Sequence, residues 1–543
     1  MSGMDTKEKR IRRKMPESLL LVGSVLFFSL LALFLQGIPA LAAIPEEWKR
    51  GISTILLPVL LLVVLYGMVT GKISERRMVF LIVCLTMLFH CSYCVLSGLY
   101  ERQHDLGVYT GIGDEQVNPG HLGYIEFIYK FRKLPKINPY ELFSYYHPPL
   151  HYLISGLWVI FLTGCGMAEE LAFENLQVLT LLYSGLFLIV CLKILKQLGA
   201  SGKGLYSALL LCALHPSLMF LSGSVNNDML CTLLIACCIW ACLAWIRKKT
   251  LPRLLALALA IGLGMLSKVN TAVIAFPVGL TFLLDFAGVL FESRRTGKQA
   301  VWKELRNYLL FGLVSGVVGL AWIVRNLVLF SELPGVPTPA NDSVMSVRAY
   351  SLWARLGIPA LADWNFSFPF HGISSEYCHN NWVIMFRTSL FAEEFPAGIP
   401  AVPLILCQAA YILAILFGTA AAVLFLALQL KKALAARKET AGGQKGALLR
   451  SPLFQESCFL GTGYLAFLLG FAVFTIKYPY TCSSDFRYIV VCLLYTGIGM
   501  AESSRLLKGR ISARAAGVIR AGVCAATVLA SVSVWVIVIW RWW

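Results

Sequence analysis

Apolar residues recur in long runs from Leu19 to Ile539, divided by short polar segments. A helix needs about 20 such residues to cross a bilayer. The runs predict about thirteen transmembrane helices, near 17–37, 51–71, 78–99, 177–195, 205–222, 229–246, 252–267, 270–290, 307–329, 401–430, 457–476, 488–503 and 514–540. The expected fold class is an all-α polytopic membrane protein. The first run imitates a secretory leader, because it follows "KEKRIRRK" and precedes "ALAA" at 40–43. It exceeds the roughly 7–15 residues of a leader's apolar core, so it reads as a retained first span.

One further apolar run, "YYHPPLHYLISGLWVIF" at 145–161, raises a question of sidedness. Lys and Arg concentrate in cytoplasmic loops. With 7–14 inside, 17–37 runs outward and 51–71 returns. "GKISERR" is then inside, and 78–99 goes out again, so 100–146 lies outside. If 148–164 crossed inward, "KILKQLGASGK", "RKKT", "ESRRTGKQAVWKELR", "KKALAARKETAGGQKGALLR" and "SRLLKGRISARAAG" would all face outward. If it lies on the outer face, all of them fall inside. It is therefore expected as an outer juxtamembrane helix. Pro148 and Pro149 suit a first turn, where a missing N–H costs nothing.

Composition agrees with a membrane protein: 58% hydrophobic and 14% charged residues, against about 25% charged in soluble domains, and a mean hydropathy of +0.72. The net charge of +18 does not point to nucleic acid, because the cations sit in loops between spans. Most of the 16 cysteines lie inside apolar runs and read as small packing residues. Cys378 and Cys482 fall on outer segments and form a candidate pair. "CSYC" at 91–94 is a lone spacing and gives no zinc set. A Walker loop and a GxGxxG are both absent, so nothing indicates an ATP motor or a dinucleotide site.

Four polar clusters share the outer side. Asp114 and Glu115 precede His121 in "GIGDEQVNPGH". His147 and His151 flank the double proline. Asn226, Asn227 and Asp228 close "HPSLMFLSGSVNND". Lys268, Arg325 and Arg487 stand near outer span ends in "LSKVNT", "IVRNLVLF" and "SSDFRY". Ionisable groups at membrane depth are costly, which makes function their default reading. Each has a structural alternative. The acidic pair either solvates a loop or serves acid/base chemistry. Asp228 either caps the following helix or takes part in chemistry. The histidines read first as satisfied structural groups and second as ligands. Lys268 and Arg325 either snorkel or bind an anion. Together, acids on an outer loop and cations at span ends suit attack of a hydroxyl on a lipid-linked phosphate sugar. The acid takes the proton, and the cations stabilise the departing phosphate.

"GDEQVNPGH", "YHPPLHYLISGLW", "HPSLMFLSGSVNNDML" and "LSKVNTAV" occur in that order. This series resembles family 39 of the GT-C glycosyltransferases, which includes protein O-mannosyltransferases and bacterial aminoarabinose transferases. The resemblance covers about 78–330; the final third matches mainly in span pattern and "DFRY". It implies a GT-C-type fold with outer-face juxtamembrane helices. It also implies transfer of a sugar from a polyprenyl-phosphate carrier, with inversion, to a glycan, lipid or protein acceptor outside. Under it, Asp114 is the expected general base with Glu115 beside it. Asp228 positions the acceptor or a divalent cation, the one cofactor entertained. Lys268 contacts the donor phosphate, with Arg487 and Arg325 as further phosphate candidates. His121 and His147 occupy motif positions. Ser267 stands where the family has Thr, two spans rather than one precede the span that leads into the acidic loop, and no soluble β-trefoil is inserted. The missing β-trefoil favours a bacterial-type member with a glycan or lipid acceptor; the plasma membrane is the expected location, with the N-terminus cytoplasmic.

The expected division is N-terminal spans 1–77, a catalytic membrane core 78–330 with first outer loop 100–176, an outer segment 331–400 as possible acceptor platform, and C-terminal spans 401–543. The competing reading is a flippase or transporter of the polyprenyl-linked glycan. Polar residues near span ends would then line a path. Acids on an outer loop rather than at mid-membrane, and the lack of two related halves, count against it.

Overall fold

The apolar runs fold as helices in a computed structural model. It describes residues 16–101, 117–333, 343–370, 372, 374–376, 378–393, 398–440, 445–507, 509 and 512–540. Among the described residues no strand forms, and an isolated β-bridge joins Ser346 to Tyr480. Among the described residues ten helices are long and apolar enough to cross a membrane, and counting each of two bent pairs as one span makes twelve. The thirteenth expected span, 252–267, is the 17-residue helix Leu251–Ser267, at the lower limit of spanning length.

Both bent pairs turn by 45°. In Gly202–Leu214 and Pro216–Gly223 the cause is Pro216, whose ring disfavours helical dihedrals at the residue before it. His215 is accordingly extended, at φ −60° and ψ 128°. The break frees the Leu214 carbonyl, which accepts from the Ser531 hydroxyl. An unpaired backbone group at this depth would be costly. The second bend joins Thr481–Ile489 to Cys492–Leu506. There the Asp485 carboxylate accepts from the Arg487 N–H at 2.7 Å.

Contacts between span ends resolve the sidedness of 145–161. Lys196, at the end of Gln177–Gln197, pairs with Glu17 at 2.8 Å, and Glu75 accepts from the Gly202 N–H at 3.1 Å. At the opposite end of the same helix, Gln177 donates to the Cys94 carbonyl at 2.8 Å. Residues 97–176 therefore leave and re-enter the bundle at one end. Their apolar helix, Leu150–Gly164, has 15 residues and reaches about 22 Å, short of a bilayer core of about 30 Å. Pro149 is its N-cap rather than part of its first turn.

This helix packs on Gly120–Phe131 to build a second apolar cluster, with Leu122, Tyr124, Ile128, Tyr152 and Val159 buried in it. Entry into Gly120–Phe131 depends on Gly123. A Cβ there would lie 2.0 Å from the Asn118 carbonyl oxygen, backbone that cannot swing aside. The candidate pair is not joined: among the described residues no disulfide links Cys378 to Cys482 or forms between the other fourteen cysteines.

Gly123→Ala is expected to lower stability by roughly 1–3 kcal/mol through overpacking. It should appear as a lower melting temperature and faster proteolysis between residues 117 and 150. Gly164→Ala, where a Cβ meets nothing within 4 Å, should leave both unchanged.

Candidate active site

Three helix breaks bring distant residues together. Asp228 opens the helix Asp228–Arg247. Its backbone N–H donates to Asn226 Oδ1 at 3.1 Å, so the side chain that caps here belongs to Asn226. The Asp228 carboxylate is turned away to Lys268, with which it forms a direct ion pair through Oδ1. Its other oxygen, Oδ2, has no hydrogen-bond partner among the described residues. Lys268 is extended between Leu251–Ser267 and the 3₁₀ turn Val269–Ile274. The two breaks are stitched where Asn227 Nδ2 donates to the Ser267 carbonyl at 2.7 Å. Cys231 Sγ also meets Thr271 Oγ1 at 3.3 Å. The side chains of Asp228 and Lys268 are only 4% and 13% exposed, so Lys268 is held inside and does not snorkel.

The third break supplies a second cation. Lys268 Nζ lies 5.0 Å from the centre of the Tyr488 ring, and the Arg487 guanidinium 5.1 Å from the same ring. Asn270 Nδ2 donates to the Tyr488 carbonyl at 2.9 Å, tying this loop to the Lys268 turn. Arg487 also pairs with Glu393 at 3.5 Å. Tyr488, Asn270 and Glu393 are therefore additional members of the site. Tyr488 was readable only as the last letter of "DFRY", and Glu393 only as one acid of "FAEEF".

The histidine segment reaches the same place from the other side. His151 Nε2 stands 3.4 Å from the carbonyl oxygen of Val225, next to Asn226. Burial pushes His151 down to about 3. His121 adds to that shift, and the Asp228 charge opposes it. His151 is thus neutral at physiological pH, and its Nδ1 has no partner. His121 Nδ1 is 2.7 Å from the Tyr152 hydroxyl, and its ring stacks on His147 at 5.4 Å. His121 and His147 are therefore brought together.

Arg325 is not brought to the two cations. Its guanidinium donates to the Pro135 carbonyl and to Asn326 Oδ1 and covers the Trp322 ring at 4.6 Å. Trp322 in turn donates to the Tyr146 carbonyl at 3.3 Å. These contacts moor the helix Lys298–Phe330 to the first large loop. Asp114 and Glu115 lie outside the described residues. Among the described residues no group of three or more His, Cys, Asp or Glu side chains gathers. Asp228, already neutralised by Lys268, is not by itself a cation site.

A family model described as dolichyl-phosphate-mannose-protein mannosyltransferase matches residues 147–297, a stretch that holds His147, Asp228 and Lys268. No curated protein matches the chain. The crystal structure of ArnT from Cupriavidus metallidurans bound to undecaprenyl phosphate overlays with a TM-score of 0.43 at 12% identity, covering 86% of this chain and 77% of that one. The family match spans the stretch from the histidine segment through Asp228 and Lys268, set within a multi-pass helical membrane fold.

Proposed function

We propose that the chain takes a sugar from a polyprenyl-phosphate carrier and transfers it, with inversion, to a glycan, lipid or protein of the cell envelope. The reaction is placed on the outer face of a bacterial plasma membrane. The observation that carries this reading is the pair of cations, Lys268 and Arg487, on one tyrosine ring beside the carboxylate of Asp228. Two cations this close favour an anion. Without one, each already leans on a carboxylate, Asp228 or Glu393. A lipid phosphate arriving there would find positive charge held in place, with little reorganisation left to do.

In this mechanism Lys268 and Arg487 bind the carrier phosphate and stabilise the charge that grows on it as the glycosidic bond breaks. Asp114 accepts the proton of the attacking hydroxyl, with Glu115 beside it. Inversion needs one in-line displacement and no covalent enzyme intermediate. Asp228 holds Lys268 in position and offers its second oxygen to the acceptor. The stacked His121 and His147 shape the approach from the first loop. The outer segment 331–400 supplies the acceptor side.

The test uses purified full-length protein, polyprenyl-phosphate sugars of several kinds and an extract of the native envelope as acceptor. Wild type should release the sugar from its carrier, and the sugar consumed identifies the donor. Asp114→Asn should lower the rate by roughly 10²–10⁴-fold. Lys268→Gln and Arg487→Gln should each lower it by roughly 10²–10³-fold. Full activity in Asp114→Asn would remove the proposed base. Sugar that changes leaflet while still on its carrier would instead mark a transporter.

The buried pair gives a second expectation. Asp228→Asn or Lys268→Gln alone should lower the melting temperature, because a lone buried charge costs about 3–5 kcal/mol. The double variant should recover part of that loss. Purely additive losses would mean that the two charges do not compensate each other.

A further inference from the structure

The outer segment carries a group of large apolar side chains that no described residue covers. Leu352, Trp353, Ile358 and Leu361 are 56%, 77%, 88% and 78% exposed. They are not on a loose loop. Arg355, two residues past Trp353, is buried and donates to the Thr475 carbonyl. Trp382 Nε1 donates to the Leu356 carbonyl at 2.7 Å. Arg387 donates to the Trp364 carbonyl at 2.8 Å, and the rings of Trp364 and Phe366 stand 6.3 and 6.0 Å from Tyr411.

Two of these anchors belong to spans, and each span serves as a ruler. In Pro452–Lys477, Glu456 pairs with Arg247 at the end that carries the basic loops. Thr475 lies about 28 Å further along the helix axis. In Ala401–Glu439 the basic end begins at Lys431, and Tyr411 lies about 30 Å above it. A hydrocarbon core is about 30 Å thick. Both rulers place their anchor at the far boundary of the membrane, so the segment pinned between them lies in that plane. The spans beside it present Leu469, Val473 and Ile476 on one helix, and Ile412 and Leu416 on the other, as exposed apolar surface. The bare side chains of 352–361 continue that lipid-facing surface.

We propose that residues 352–361 form an interfacial anchor, with Leu352, Trp353, Ile358 and Leu361 inserted into the lipid surface at the membrane boundary opposite the basic loops. Tryptophan favours that depth, and a short apolar face lying flat in the interface is a recognised way of holding a segment there. The anchor confines the acceptor side proposed for 331–400 to the residues of that segment outside this stretch. It also fixes the height of Arg387 and the helix Asn381–Phe391, which leads to Glu393 beside Arg487. The proposal depends on span depth alone and does not require the transfer reaction.

Full-length protein in phosphatidylcholine nanodiscs would be labelled in parallel with two photoactivated carbene reagents. One is a phosphatidylcholine with the diazirine high on its acyl chain; the other is a small water-soluble diazirine. The lipid-to-water labelling ratio of peptide 352–361 is then compared with two internal standards, the lipid-facing stretch 468–476 and the stretch 131–136, where Phe131, Arg132, Lys133 and Lys136 are exposed. A ratio closer to 468–476 supports the anchor. A ratio closer to 131–136 overturns it and turns the face toward an acceptor glycan or a partner protein. Trp353→Phe checks the same point by fluorescence. Quenching by brominated lipid should lose amplitude in the variant, and unchanged quenching counts against insertion.

Discussion

A carboxylate and an ammonium buried together at membrane depth hold each other, because removing either strands the other's charge in a medium that solvates it poorly. Asp228 and Lys268 form such a pair, and much of the outer end depends on it. Each residue stands where a helix starts or stops, and broken backbone is tolerated within a membrane only where protein or a polar cavity satisfies it. Asn227 gives its amide to the Ser267 carbonyl, and Asn226 its oxygen to the Asp228 N–H. The two breaks are therefore satisfied by each other. The ion pair locks the register in which that happens.

The third break joins through an aromatic ring. Two cations near one another repel, yet Lys268 and Arg487 share Tyr488. A ring attracts cations to its π-face, so Tyr488 draws both inward while its bulk keeps them apart. Asp228 and Glu393 then balance the charge from outside the ring. Such an arrangement is neutral as a whole but keeps two donors oriented.

The spans were legible because apolar length survives any tertiary context. Their ends were less so. Hydropathy marks the hydrocarbon, whereas the helix continues as long as its hydrogen bonds do: 51–71 is Glu46–Thr70, and 401–430 extends to Glu439. Charge bias placed 148–164 on one face, and the contacts of Lys196 and Gln177 agree, because the same charges that orient loops also pair across span ends. Asp228 shows where local reading fails. Two asparagines before an acid look like a cap, but a lysine forty positions on claims the carboxylate, and no local window contains it. Arg325 was grouped with the phosphate candidates by its place at a span end. The side chain is instead taken by the Pro135 carbonyl and the Trp322 ring. Cys378 and Cys482 were paired by a shared expected location, which permits a bond without bringing the sulfurs together.

Acids are used differently at the two ends of the bundle. At the basic end Asp285 is fully buried and accepts from Lys249, Tyr308 and Gln455. Glu502 likewise takes Lys432 and Gln429. Both oxygens of each are occupied, so these networks stiffen the helices they join. Asp228 is as deeply buried, yet leaves Oδ2 without a partner, an omission that costs about 1–3 kcal/mol in a low-dielectric site. A chain that satisfies its acids fully at one end had the means to do so at the other. The open oxygen stands on the carboxylate that holds Lys268, and under the proposed transfer reaction a substrate hydroxyl would donate to it.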